Sequence, residues 1–255
     1  MASMIIASPT PGAGKTMIAA GLARRLAGAQ ITESPAGELH AQPGGRVIVI
    51  ATPATSPADL ASFVADLPNT LVILNRVPAR RIAPMRQAYE ATGVTLIGVI
   101  PEDALLASPT IGQVRDALAA EAENIDGNRD TPLQRVVIAS IAADPGQTYF
   151  DFTRADAIIV RSDKPDLQLA ALNAVTDSCL IVTGGLPVLS YVLERVEEGE
   201  ISLLRTKLDT KETVAAIEDL FGAGAFSGSP EKLRRIEELL AGVDLDALLE
   251  RSAAS

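Results

Sequence analysis

MIIASPTPGAGKTMIAAGLARR, residues 4–25, sets the reading of the first half of the chain. The apolar run Met4–Ala7 stops at a Pro/Gly-rich turn. After Gly14-Lys15-Thr16, apolar residues recur at Met17, Ile18, Ala20 and Leu22 with helical spacing. The order is strand, loop, helix. Glycines at 12 and 14 let backbone N–H groups turn inward on an anion, with Ala13 between them. Lys15 reaches outer phosphate oxygens, and Thr16 offers a hydroxyl to Mg²⁺ at the positive end of a helix. The spacing G-x-x-x-x-G-K-[ST] is met except at its first position, where Pro9 stands. Proline brings no N–H donor and cannot adopt positive φ, so phosphate binding and turnover are separate questions here.

Composition narrows the rest. Aromatic residues make up 3% and tryptophan is absent, so the core is built from Ala, Val, Ile and Leu, as in strands buried on both faces by helices. Thirty-two acidic against twenty-two basic residues give a formal charge of −10, which disfavours nucleic acid and anionic membrane as partners. No apolar run is long enough for a membrane span and no leader pattern precedes the first strand, so a cytoplasmic location is expected. Cys179 is the single cysteine and lies in an apolar run, where a buried thiol is expected. His40, the single histidine, reads as a solvated loop residue.

Strands alternate with helices along the chain, which predicts parallel sheets. Glu33 ends a short strand after the first helix. Val47–Ala51 is a continuous apolar strand, and Ser56-Pro57 opens a helix carrying Leu60, Phe63, Val64 and Leu67 on one face. Leu71–Leu74 runs into Asn75-Arg76-Val77-Pro78. A helix within 80–92 leads to the strand Val94–Ile100, and Thr110 caps a helix to about Ala122. The polar stretch EAENIDGNRDTP then reads as a domain boundary. Beyond it come strands at 135–141, 156–161, 179–183 and 201–204, a Pro/Gly turn at 145–146, and helices at 166–174, 187–197 and 210–220. The expected domains are 1–125, 130–222, and a linker with amphipathic tail over 223–255.

In that order the motifs SPTPGAGKT, LVILNRVP, GVTLIGVIPEDALLASPTIGQV, ADAIIVRSDKPDLQLAAL and CLIVTGG resemble a known arrangement. It is the dethiobiotin-synthetase-like P-loop domain followed by a DRTGG domain, as found at the front of long bacterial phosphotransacetylases. The resemblance implies a shortened P-loop α/β domain, a second, smaller α/β domain of DRTGG type, and a short helical tail. It implies ATP or GTP with Mg²⁺ as ligands, held by Gly12, Ala13, Gly14, Lys15 and Thr16. ITESPAGEL resembles the family's Glu-Gly-x-Gly-Gly segment, which makes Glu33 the acidic candidate for metal and, with Lys15, for catalysis. Asn75 takes the place of a base-recognising residue, although asparagine at a strand-to-helix turn is also ordinary.

Two departures shape the functional expectation. The stretch behind the P-loop helix lacks most of a synthetase's substrate-binding part, and where a phosphotransacetylase would continue into its acetyl-transferring domain a short amphipathic tail follows residue 222, so acetyl transfer is not expected. The expectation is therefore a nucleotide-binding regulatory protein with weak or no hydrolysis. The rival readings are an ATP-dependent ligase or phosphotransferase of the dethiobiotin synthetase class, and an assembly module with a vestigial nucleotide site. Related regulatory domains imply a homodimer, and the phosphotransacetylase context implies an enzyme of acyl- or acetyl-phosphate metabolism as partner. In the second domain Asp163, Lys164 and Asp166 after one strand, and Thr183, Gly184 and Gly185 after the next, meet at one sheet edge as a candidate ligand site. Capping and turn formation explain the same residues without a ligand.

Overall fold

A computed structural model describes residues 3–38, 46–67, 70–139, 154–174 and 179–250. His40 and the 145–146 turn lie outside these residues. The chain forms two compact units, one from residues 1–106 and 230–255, the other from 107–229.

The first unit is built on five parallel strands, β1 (Ser3–Ala7), β2 (Gln30–Glu33), β3 (Arg46–Ala51), β4 (Leu71–Val77) and β5 (Thr95–Pro101), in the order β2-β1-β3-β4-β5. Alternation across the pleat sends side chains to two buried faces. Val47, Val49, Val72 and Leu74 pack under Leu60 of α2 (Pro57–Val64) and Met85 and Tyr89 of α3 (Ile82–Glu90). Ile6, Ile48, Ile50 and Ile73 point the other way and are equally buried. The Ser56 hydroxyl caps α2 by accepting from Asp59 N at 3.1 Å. Tyr89 hooks the loop after β3 by donating its hydroxyl to the Thr55 carbonyl.

On the second face α1 (Lys15–Arg25) packs against α9 (Pro230–Leu240), so the tail belongs to this unit. Ile236 and Leu240 are fully buried, and a Cβ added at Gly21 of α1 would stand 2.6 Å from Leu240 Cδ1. The tail then crosses β5: Asp244 N donates to Ile97 O at 2.8 Å, and a Cβ at Gly98 would lie 3.1 Å from Val243 Cα. Arg235 Nε donates to Asp103 Oδ2 at 2.7 Å, and α10 (Asp246–Glu250) ends the described chain.

The second unit starts at Ala107, the last residue of the short α4 (Ala104–Ala107), earlier than the expected boundary at 125. Its helix α5 (Ile111–Ala117), closed by a Thr110/Gln113 capping box, buries Ile111 and Val114 against this unit's own sheet. The polar stretch expected to mark the domain boundary is structural as well. Glu121–Glu123 forms β6, antiparallel to β10 (Ser202–Arg205), and Arg205 bridges Glu121 at 3.3 Å and Glu123 at 2.9 Å. A three-residue charged edge strand has no hydrophobic period to betray it; its partner supplies the register.

The remaining strands, β7 (Val136–Ile138), β8 (Ala157–Arg161) and β9 (Cys179–Thr183), are parallel with β10 in the order β6-β10-β9-β8-β7. Ile158, Val160, Leu180 and Val182 meet α6 (Pro165–Ala174) and α7 (Ser190–Glu198). Ala157, Ile159, Cys179 and Ile181 meet α5 and α8 (Thr210–Glu218).

Gly98→Ala forces its methyl onto the Val243 backbone and is expected to cost about 1–3 kcal/mol. The urea midpoint falls and trypsin cuts sooner at Arg234 and Arg235, whereas Gly127→Ala, which meets nothing within 4 Å, changes neither. Burial pushes the Cys179 thiol up to about 12. In the unfolded chain the thiol ionises above about pH 9, so the stability this group contributes is present below pH 9 and lost between 9 and 12. Urea midpoints taken across that window decline less steeply in Cys179→Ala than in the parent.

Candidate functional site

In the first unit the loop after β1 sits where the strand order reverses between β1 and β3, the edge at which open parallel sheets bind ligands. Its shape follows from few residues. Ser8, fully buried, donates its hydroxyl to Thr10 O at 2.8 Å. Gly12 and Gly14 adopt φ of 71° and 90°, which L side chains rarely take. Pro9 is not among the positive-φ residues, so its ring imposes no strain where the glycine pattern is broken. α1 starts at Lys15 with no side-chain cap and no acidic residue in its first turn. The earliest N–H groups of that helix therefore have no intrahelical acceptor and face the positive end of the dipole.

Thr16 and Glu33 meet at this helix start. β1 and β2 pair Ile6 with Glu33, which brings the carboxylate alongside the loop, and Thr16 Oγ1 donates to Glu33 Oε2 at 2.9 Å. A hydroxyl and a carboxylate side by side are hard oxygen donors of the type Mg²⁺ takes together with phosphate oxygens and water.

Asn75 does not close a strand-to-helix turn. β4 continues to Val77, with Arg76 at φ 57° making the irregularity that lets Val77 rejoin Pro101. Asn75 is 1% exposed and its Nδ2 donates to Ala13 O at 2.8 Å. A Cβ at Gly14 would come within 2.4 Å of that same nitrogen. The side chain expected beside a base fastens the loop from beneath. Ala13, expected as a donor, also contributes this accepting carbonyl.

In the second unit the ends of β8, β9 and β10 form two adjoining clefts. One, of about 460 Å³, is lined by Arg161, Asp163, Thr183, Gly184, Thr210 and Lys211. The other, of about 530 Å³, is lined by Val182, Gly185, Pro187, Arg205 and Lys207 among others, and Leu186 borders both. Thr183 and Thr210 share a hydroxyl contact of 3.1 Å. Gly184 N and Gly185 N are held by Leu208 O and Thr206 O. Arg161 grips Asp163 through two bonds of 2.9 and 2.6 Å.

The structure thus gathers Asp163, Thr183, Gly184 and Gly185 from the expected set. Lys164 and Asp166 line neither cleft: the Lys164 carbonyl accepts from Gln168 N, and Asp166 occupies the first turn of α6. Arg161, Leu186, Lys207 and Lys211 escaped the sequence reading. Lys211 follows Asp209-Thr210, a capping signal that accounts for itself, and Asp209 does cap Glu212 N at 2.8 Å.

Residues 113–220 match the family model of the DRTGG domain. The second unit carries a DRTGG domain. The match begins within α5, ahead of the expected start at 130, so the charged strand β6 lies inside the DRTGG domain. The chain is also similar to the CBS and DRTGG domains of the regulatory region of Clostridium perfringens pyrophosphatase, solved with its activator diadenosine tetraphosphate. That likeness has 18% identity, 71% of this chain and 76% of that one covered, and a TM-score of 0.40. A variant of N-acetyl-L-ornithine transcarbamylase, complexed with carbamyl phosphate and N-succinyl-L-norvaline, is similar at 16% identity over 95% of this chain and 75% of its own, with a TM-score of 0.20. Among the described residues no helix is long and apolar enough to cross a membrane.

Gly14→Ala meets two penalties, left-handed backbone at roughly 1–2 kcal/mol and collision with Asn75. In an Asn75→Ala background only the first remains. A double-mutant cycle on urea midpoints is expected to show Gly14→Ala costing less in that background than in the parent.

Proposed function

We propose that the first unit binds a nucleoside triphosphate with Mg²⁺ and that the protein is a nucleotide-responsive regulator in which this P-loop-like unit is joined to the DRTGG domain. The observation that carries the reading is the uncapped start of α1. Gly12 and Gly14 shape the loop before it, and the Thr16 hydroxyl and Glu33 carboxylate lie 2.9 Å apart beside it. In this reading the loop backbone and the first N–H groups of α1 cradle the phosphates, and Lys15 neutralises their outer oxygens. Thr16 and Glu33 would hold the metal, which on binding supplies charge compensation across the β and γ oxygens. Asn75 keeps the cradle in shape from below.

Turnover in this reading is slow. Of the strands flanking β1, β2 ends in Glu33, whose carboxylate already engages Thr16, and β3 ends in Ala51 followed by Thr52, with no carboxylate to orient water. A homodimer acting beside an enzyme of acyl-phosphate metabolism completes the proposal and rests on the family resemblance alone.

Calorimetric titration of the full chain with ATP, ADP, GTP and GDP in the presence of Mg²⁺ tests it. Saturable heat with at least one triphosphate is expected. Lys15→Ala weakens it tenfold or more, which corresponds to about 1.4 kcal/mol. Glu33→Gln makes binding less dependent on Mg²⁺. Phosphate release on the order of 10⁻³ s⁻¹ or slower is expected, the range of unassisted P-loop proteins. No heat from any of the four nucleotides sinks the reading.

A further inference from the structure

Four cationic side chains, Arg161, Arg205, Lys207 and Lys211, line the paired clefts at the strand ends of the DRTGG domain, within a chain of net charge −10. Two of them are already committed. Arg161 is held by Asp163, and Arg205 by Glu121 and Glu123. The other two are not: among the described residues neither Lys207 nor Lys211 has a hydrogen-bond or ion-pair partner. The acidic groups that could have answered them are engaged elsewhere. Asp163 is taken by Arg161, and Asp209 accepts from Glu212 N.

The clefts that the two lysines line also offer surface suited to an uncharged body. Leu186 is 57% exposed and borders both clefts, with Pro187 and Val182 in the wall of the second. Gly185, at φ 71°, has the Lys207 side chain 3.5 Å from its missing Cβ, so this lysine runs over a bare stretch of backbone. In the first cleft Thr183 and Thr210 share one hydroxyl contact in which either oxygen can donate, leaving the second hydroxyl hydrogen for a ligand.

We infer that these adjoining clefts bind a small organic phosphate, with its phosphate group drawn by Lys207 and Lys211 and its organic body against Leu186. A phosphate monoester brings close to two negative charges and three acceptor oxygens, enough to meet two ammonium groups and a hydroxyl together. The exposed leucine gives the body an apolar seat that inorganic phosphate cannot use. This site is independent of the nucleotide site proposed for the first unit.

The test uses full-length protein carrying Lys15→Ala, which weakens phosphate binding by the first unit, and the double lysine variant assigns the binding that remains to the clefts, so the outcome does not depend on the nucleotide site. Calorimetry is run with phenyl phosphate and with inorganic phosphate. Phenyl phosphate is expected to bind about tenfold more tightly than inorganic phosphate. The double variant Lys207→Ala/Lys211→Ala is expected to lose at least that factor for both probes. Both lysines are exposed, and an unchanged urea midpoint verifies the fold. Leu186→Ser is expected to remove the preference for phenyl phosphate while leaving inorganic phosphate unaffected. Absence of binding by both probes, indifference to the double lysine variant, or a preference that survives Leu186→Ser each overturns the inference.

Discussion

The packing of a C-terminal helix onto the first one holds the first unit together. α9 lays the fully buried Ile236 and Leu240 against α1 at Gly21, and without it these side chains and that face of α1 would meet water. Fully burying an aliphatic side chain of this size stabilises by roughly 1.5–3 kcal/mol, so the seam is worth far more than the Arg24–Glu237 pair at its rim, which is half exposed. Close approach is what lets the seam form. Glycine at 21 and 98 leaves room for Leu240 and Val243 where any side chain would intrude.

That seam also bears on chemistry. α1 presents its uncapped start at the end of β1, and the packing of its far side against α9 fixes the axis along which its dipole points. From below, Asn75 ties the loop to the interior of β4. Rigid support of this kind, a glycine loop held by a buried amide and a helix held by a neighbour, is what a preorganised anion site needs. The DRTGG domain uses the same sheet logic with different side chains: parallel strands deliver Arg161, Thr183 and Lys207 to one edge by ending there.

Much of this was legible in the amino-acid order. The buried strands at 47–51, 157–161 and 179–183 announce themselves as short runs rich in Val and Ile, and Gly14-Lys15-Thr16 marks its own junction. Three things were not legible, each for a physical reason. Glu121–Glu123 is a strand only because Arg205 and β10 make it one, and charges carry no period. Arg76 takes a left-handed conformation that nothing in its type foretells, and this keeps Asn75 inside β4. The place of the tail could not be read because amphipathicity reveals that a helix has a partner and says nothing of which one.

The division of the first unit between two distant stretches of sequence has a consequence for how the molecule is made. During synthesis the DRTGG domain is contiguous and can close its core once residue 229 has emerged, whereas the first unit waits for residues 230–250 to cover α1. Until then its apolar face stays open to aggregation and to chaperones. A stretch made only after the whole DRTGG domain completes the unit that precedes it in sequence.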